Sequence, residues 1–427
     1  MESYHLDDLN IILNKEGSKE FSKVSYPIRY GRFAEIITKD YVFQFNLNGE
    51  IKHIQGRDKN WPHPAEWLKH TVADDWVYYS AGGYNGVYDF FGEYYLPCLS
   101  YPSNSIVSDN PFADTAVLSA LTSWKKLIGK IKNLLPRPTP QKLKDFLMLV
   151  AKNDPKALIK KSRTLHSVIE GRITVLPPDA RHVDYEIIPV IVADGCLFNC
   201  GFCRVKTGQD FAPRTQTSII EQIKALKKLY NNDLCNYNAV FLGQHDALYA
   251  GRELLEFSAR KAYELFEFER SHLRDARLFV FGSVDSLLKS NDSLFATLNS
   301  LPFFTYINVG LESADPATLA LLKKPISVED VVKAFKKTLD INRRYEKIEV
   351  TANFVFGGGL PQSHFLALCE LTGNTLTHFY NKGAIYLSPL IDKKRKMRET
   401  KRELLKKFNE VKTLSRVPTF LYLIQRL

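Results

Sequence analysis

The chain has 427 residues, 45% hydrophobic and 25% charged, with six cysteines and a formal net charge of +11. That length supports two or three domains and a sizeable core, and six cysteines over such a span exclude a disulfide scaffold. The sequence has no run of about 18 apolar residues of the kind that spans a membrane. Its acidic start, Met1 to Asp8, lacks a signal-peptide core, so a cytosolic protein is expected. The positive charge suits an anionic partner such as nucleic acid, a phospholipid surface or a phosphorylated metabolite, although many soluble proteins share it without one.

Residues 1–180 carry no motif that identifies them. Tyr30 to Ile37 and Tyr41 to Leu47 alternate apolar and polar residues; Asn48-Gly49 follows, then Ile51 to Ile54. Alternation on both sides of Asn-Gly predicts a β-hairpin. Trp61 to Leu68 predicts a proline-punctuated turn into a short helix. The aromatic, glycine-rich stretch from Asp75 to Pro97 is either a substrate-lining lid or the aromatic core of a small β-rich domain. Trp124 to Leu135 predicts a basic amphipathic helix. Such a helix packs its Leu/Ile stripe on a core with its lysines in water, or lies on an anionic membrane. Pro136-Arg137-Pro138-Thr139-Pro140 reads as a linker, and the spacing of Leu143, Phe146, Leu147 and Val150 predicts helix again over 141–170.

From residue 183 strands alternate with helices, which signals βα units and a parallel sheet. Strands are expected at 185–193, 238–243, 278–283, 305–311, 349–356 and 384–388, with helices at 218–229, 253–269, 287–298, 328–342 and 361–379. Six repeats are too few for a closed eight-stranded barrel. Beyond Lys393 a charged helix is expected, rich in Lys and Arg, and Phe420 to Ile424 is expected to dock on the barrel. Its basic run either faces solvent or contacts phosphates.

The first strand leads into Cys196-Leu197-Phe198-Asn199-Cys200-Gly201-Phe202-Cys203. Iron–sulfur cubanes are held by cysteine thiolates and normally take four. Three cysteines in one tight loop leave an iron open, and an open metal site can accept a substrate or cofactor. The remaining cysteines, Cys98, Cys235 and Cys369, are isolated and read as inert thiols. The C-x-x-x-C-x-x-C spacing, with an aromatic before the last cysteine, resembles the radical S-adenosylmethionine (radical SAM) superfamily. The resemblance implies a [4Fe–4S] cluster on Cys196, Cys200 and Cys203, with SAM chelated to the open iron. It further implies reductive cleavage of SAM to methionine and a 5′-deoxyadenosyl radical, which abstracts hydrogen from a substrate. An external electron donor such as flavodoxin or ferredoxin is also implied. The fold expected is α/β: a partial (β/α)6 radical SAM barrel over 183–391, an N-terminal α+β domain over 1–180 and a basic helical tail over 392–427.

Ligand residues in parallel α/β sheets lie at the carboxyl ends of strands. Strand two ends in Gly243-Gln244-His245-Asp246, strand three in Gly282-Ser283, strand four in Gly310-Leu311-Glu312-Ser313, and strand five in Phe356-Gly357-Gly358-Gly359. Gly310 to Ser313, followed by Ala314-Asp315-Pro316 and Leu321-Leu322-Lys323-Lys324, resembles the signature of coproporphyrinogen-oxidase-like and elongator-like groups. By that resemblance Gly243, Gln244, Asp246, Ser283 and Glu312 contact SAM, and Phe202, Gly357 and Tyr386 lie beside its adenine. Arg204 stands where the coproporphyrinogen oxidase pattern has another cysteine and the Gly-Gly-Gly-Thr-Pro loop is missing, so porphyrin oxidation is not expected. No Asp-x-His-x-x-Gly supports a cobalamin domain. The rival readings are a zinc module built on the three cysteines and a histidine, or an electron-transfer protein. Within the enzyme reading the substrate is a small metabolite or lipid-like molecule under the aromatic N-terminal region, or alternatively RNA or protein.

Overall fold

The first hundred residues form an antiparallel meander in which each strand pairs with the next: β1 (Glu2–Leu6), β2 (Leu9–Glu16), β3 (Arg32–Ile37), β4 (Tyr41–Phe45), β5 (Ile51–Gly56), β6 (Trp67–His70), β7 (Trp76–Ser80) and β8 (Leu96–Cys98). The computed structural model describes residues 1–21, 29–57, 59, 61–81, 95–99, 110–198, 200–203, 209–357, 359–390 and 401–427. The expected hairpin is β4–β5. Asn46 N–H donates to Glu50 O at 2.9 Å, and Gly49 takes a φ of +76°, which a residue with a Cβ adopts only at a cost. The short helix expected after Trp61 is instead strand β6, in which Trp67 to His70 are all buried between β5 and β7. A half-turn of helix could not pair both neighbours.

One face of the meander is covered by helix Thr115–Leu134. Its buried residues, Val117, Ala120, Trp124, Leu127, Ile128, Ile131 and Leu134, recur every three or four positions. They pack with Phe43, Phe45, Ile51 and Ile54 in one apolar cluster. The basic amphipathic helix thus spends its apolar stripe on a core. The helical stretch 141–170 is broken in two, Gln141–Lys152 and Pro155–Val168. Asp154 caps the second by accepting from Ala157 N–H at 3.1 Å, and Pro155 sits in its first turn, where its missing N–H costs nothing.

The second half builds a parallel sheet from β9 (Ile188–Ile191), β12 (Ala239–Gly243), β13 (Arg277–Ser283), β14 (Phe304–Glu312), β15 (Ile348–Phe356), β16 (Ile385–Pro389) and β17 (Thr419–Leu421), in that spatial order. A two-stranded ribbon, β10 (Ala193–Asp194) with β11 (Ala212–Pro213), follows β9. The six expected strands are present, so the architecture is the partial barrel. The end of the chain adds to this sheet. After helix Lys401–Leu414, residues 419–421 dock on the barrel as expected, and do so by pairing in parallel with β16 as a seventh strand. The start of the expected tail helix, at 393–400, lies outside the described residues.

The meander sits at the amino ends of the parallel strands. Tyr30 hydroxyl donates to Asp184 at 2.7 Å and Asn48 Nδ2 to Tyr230 O at 2.8 Å. Arg32 N–H donates to Asn236 Oδ1 at 2.7 Å, and Arg274 N–H to Lys19 O at 2.8 Å. Asp184 precedes β9, Tyr230 and Asn236 precede β12, and Arg274 precedes β13. This placement corrects the lid reading for the described part of the aromatic stretch. Tyr79 and Tyr95 are buried in a cluster with Tyr30 and Trp67, a core at the end of the barrel opposite the strand tips. Residues 82–94 of that stretch lie outside the described residues.

Candidate active site

The cysteine loop leaves the sheet at a narrow neck. Ribbon β10–β11 closes it, and Arg214 clamps Asp194 with two contacts of 2.8 and 2.7 Å. Gly195, with a φ of +72°, has no room for a side chain: a Cβ there would lie 2.0 Å from Asp210 O. Within the loop, Cys203 N–H donates to Cys200 O at 3.3 Å, and Gly201 N–H donates to Leu322 O at 2.9 Å. The loop is thereby tied to helix Pro316–Leu322, which follows β14.

Cys196, Cys200 and Cys203 line one cavity of about 190 Å³ at the carboxyl ends of the parallel strands. Phe202, Gln244, Asp246, Ser283 and Glu312 line the same cavity, so eight of the eleven residues singled out from the sequence meet there. Burial raises the Cys196 and Cys200 thiols above the ordinary cysteine value, with Lys324 opposing it at both. Neither is therefore poised as a free thiolate nucleophile, and metal coordination is what would deprotonate them. Among the described residues no three His, Cys, Asp or Glu side chains are grouped for a single metal ion. A tetrahedral zinc would draw its sulfurs together on bonds of about 2.3 Å. All three cysteines line the same cavity.

Asp246 is 2% exposed. Its Oδ1 accepts from Ser283 N–H at 2.9 Å, while its Oδ2 is buried with no hydrogen-bond partner. Burial holds this carboxyl above the usual aspartate range. The neighbouring His245 also has an orphaned Nε2, and burial lowers its basicity. Two unsatisfied buried polar atoms beside one cavity are what a polar ligand would complete.

Glu312 owes its aim to a bulge. The β14–β15 register slips between Gly310 and Glu312, and Glu312 takes a φ of +65°. A bulge re-aims the side chain that follows it. Lys324 Nζ then donates to Glu312 Oε1 at 3.0 Å and to Gly310 O at 2.7 Å. A Cβ on residue 310 would lie 2.5 Å from Glu312 Oε1, so the glycine makes room for the carboxylate.

Four residues expected at the site stand elsewhere or play another part. Tyr386 is 1% exposed and does not line the cavity. Its hydroxyl donates to Asp179 at 2.7 Å and accepts from Arg181 Nε at 3.0 Å. Both partners come from the short 3-10 segment Pro178–Val183, which precedes β9. Gly357, with a φ of +133°, ends β15 with Leu390 N and Leu404 Cδ1 as its nearest neighbours. Gly243 ends β12 against Phe241 and Ile191, and its carbonyl accepts from Val192 N–H at 2.9 Å. Ser283 does face the cavity, but its hydroxyl caps helix Val284–Lys289 by accepting from Ser286 N–H at 3.1 Å.

The sequence reasoning missed Lys324, Asn308 and Asn353, all in the cavity wall. Asn353 Nδ2 donates to Asn308 Oδ1 at 2.6 Å, and Asn308 Nδ2 donates to Thr351 at 2.8 Å. The asparagines left a signal: each lies in a central strand of the parallel sheet, where a buried or half-buried amide needs a reason. The segment before β9 also reaches the site, since Thr174 and Val175 line the cavity and Gln244 Nε2 donates to Arg172 O at 2.8 Å.

Residues 190–372 match the Radical SAM superfamily. Among solved structures the chain is similar to a radical SAM methyltransferase from Sphaerobacter thermophilus, at 15% identity over 55% of this chain and 64% of that one, with a TM-score of 0.38. It is similar to Streptococcus suis SuiB at 10% identity over 90% and 72% of the two chains, TM-score 0.36. A third likeness is to methylornithine synthase PylB, at 10% identity over 68% and 81%, TM-score 0.34. The chain thus spans less than two thirds of the methyltransferase, and likenesses this distant carry no information about substrate. No curated protein matches the chain.

Proposed function

We propose, on the match of residues 190–372 to the Radical SAM superfamily, that this segment is a radical SAM domain in which Cys196, Cys200 and Cys203 would hold a [4Fe–4S] cluster with its fourth iron left to SAM. When bound and reduced, the cluster supplies the electron that cleaves SAM to methionine and a 5′-deoxyadenosyl radical, which takes hydrogen from the substrate. The observation that carries this reading is the shared cavity. It gathers the three cysteines with two carboxylates, and one of these, Asp246, keeps a buried oxygen unpaired.

In this reading Asp246 Oδ2 would accept from the amino group of SAM, and Glu312 from its amino group or ribose. Lys324 fixes the Glu312 carboxylate. Gln244 is tethered to the Arg172 carbonyl, which holds it at the cavity rim. Phe198, Phe202 and Phe281 supply apolar wall that excludes water. That lining, with Val175, favours a small metabolite or lipid-like substrate over RNA or protein. The electron comes from an external donor such as flavodoxin or ferredoxin. We read residues 1–180 and 183–391 as separate units, a division supported by their separate sheets and main apolar clusters, whereas of the unit expected at 392–427 the described residues join the barrel, since β17 extends its sheet and Leu404, Phe408 and Val411 lie in its core.

The test is anaerobic reconstitution with iron and sulfide, then reduction with dithionite in the presence of SAM. Formation of 5′-deoxyadenosine and methionine is expected. Zinc without iron in the purified protein, or no SAM cleavage by a fully loaded cluster with or without candidate substrates, would sink the reading.

A further inference from the structure

The basic charge of the chain is concentrated. Residues 115–168 carry twelve Lys and Arg against two Asp and Glu, an excess of ten, where the whole chain has eleven. These residues are the three consecutive helices Thr115–Leu134, Gln141–Lys152 and Pro155–Val168 with their connections. Five of the twelve are neutralised by ion pairs: Lys130 with Asp8, Lys132 with Asp154, Arg137 with Asp7, Lys142 with Glu2 and Lys161 with Glu50. Lys125, Lys126, Lys152, Lys156, Lys160 and Arg163 are exposed and form no ion pair among the described residues.

The outward faces of the same helices mix these charges with exposed apolar side chains. Lys156, Ile159, Lys160 and Arg163 stand at i, i+3, i+4 and i+7, one face of a helix. Lys144, Met148 and Lys152 follow at steps of four, and Leu118 lies on one face with Thr122 and Lys125. Leu118 is 49% exposed, Met148 43%, Leu149 39% and Ile159 40%, a large share of the exposed apolar side chains in the described chain. The inward stripes of these helices are already buried, and among the described residues nothing covers this outer layer.

We propose that this layer docks the protein on an anionic phospholipid surface. Lysines attract a negatively charged bilayer, and interleaved Leu, Ile and Met side chains enter the boundary between headgroups and acyl chains. Single-stranded nucleic acid would use the same lysines but also needs aromatic platforms for its bases. The aromatics of this layer do not provide them: Trp124 is buried and Phe146 is packed against the meander core. None of the residues of this layer lines the cavity.

The experiment is flotation of the full-length protein with vesicles of phosphatidylcholine alone or with phosphatidylserine added. Binding is expected only with phosphatidylserine, and is expected to fall steeply between about 0.1 M salt, where screening reaches about 10 Å, and about 1 M, where it reaches about 3 Å. K125E/K126E/K156E/K160E is expected to lower the bound fraction at least about tenfold, and M148S/I159S to lower it less. The control K333E/K336E/R402E/K406E carries the same charge change on exposed positions of two other helices and is expected to bind nearly as wild type. Thermal melts of every variant report folding. No flotation, equal binding to neutral vesicles, or equal loss in the control would overturn the proposal. So would an RNA oligonucleotide that binds through the same four lysines while vesicles do not.

Discussion

The two ends of the parallel barrel both bury charge, and they do it differently. At the amino end Asp184 accepts from the hydroxyls of Tyr30 and Tyr95. Glu186 lies 2.9 Å from Lys69 and 3.7 Å from Lys52. Asp233 accepts from Asn236 at 2.6 Å and Asn46 at 3.2 Å. The cavity there measures about 30 Å³, room for a water or two beside the Tyr230 hydroxyl. At the carboxyl end, Asp246 keeps an oxygen unpaired beside about 190 Å³ of space. Buried polar atoms without partners occur at both ends, the Tyr230 hydroxyl and Asn48 Oδ1 at the amino end among them, but only at the carboxyl end does an unpaired carboxylate oxygen face a cavity with room for more than water. The amino end is a fastener between meander and barrel.

Replacement of the cysteines tests this contrast most severely. Cys196→Ala, Cys200→Ala or Cys203→Ala is expected to reduce 5′-deoxyadenosine formation to background and to lower bound iron. The unloaded fold should lose little, within about 1 kcal/mol, because Cys196 and Cys203 are only half-buried in a loop. Lys69→Met at the other end should do the reverse. It leaves Glu186 buried with one cation fewer, which costs about 3–5 kcal/mol, while the protein that remains folded still cleaves SAM. If Lys69→Met abolished SAM cleavage without loss of stability, the division of labour between the two ends would be wrong.

Lys324→Met is the intermediate case, because this residue belongs to both descriptions. It is buried and ion-paired like the amino-end lysines, yet it faces the cavity. Its loss should cost up to about 3 kcal/mol of stability, through the unpaired Glu312 carboxylate. It should also weaken SAM binding, read by calorimetry on the reconstituted protein. Glu312→Gln in the same background should recover stability but not SAM affinity. Recovery of both would mean that the carboxylate is structural only.

The carboxyl end was the more legible in the sequence. Strand-end glycines, the cysteine spacing and Glu312 are local features, fixed within a few residues, and most of them converge as expected. Tyr386 was misjudged because the fate of its hydroxyl depends on Asp179 and Arg181, some two hundred residues earlier. The amino end could not be read at all: Asp184, Lys69 and Asp233 lie in unremarkable stretches, and only the docking of two sheets brings them together. The N-terminal strands β1 and β2 escaped notice for a related reason. Their alternation is regular, with Leu9, Ile11 and Leu13 buried, but it lies in a polar-looking segment. In β6, neighbouring strands on both sides overrode the turn chemistry of Pro62 and Pro64.

The effect of pH bears on stability alone, and it distinguishes the two carboxylates of the fastener. Burial pushes Asp233 up to about 6, with Lys52 and Asn236 opposing it. The folded state therefore keeps a proton that the unfolded chain releases near 3.8, so stability from this group is present below that value and lost as pH rises through about 6. For Glu186 burial also pushes upward, but Lys69 and Lys52 outweigh it and hold the carboxyl at about 2. Its contribution is present above about 4.5 and lost as pH falls toward 2. The two slopes oppose each other, and the fastener is strongest between them, near pH 4–5. Urea midpoints of the wild type and Asp233→Asn, followed by circular dichroism from pH 4 to 7, isolate the descending limb. The difference between the two proteins should change by up to about 3 kcal/mol across that window, while SAM cleavage at fixed pH is the same in both. A pH-independent difference would mean that Asp233 is ionised throughout and that Lys52 is its true partner, which would make the amino end an ion-pair network without a protonated member.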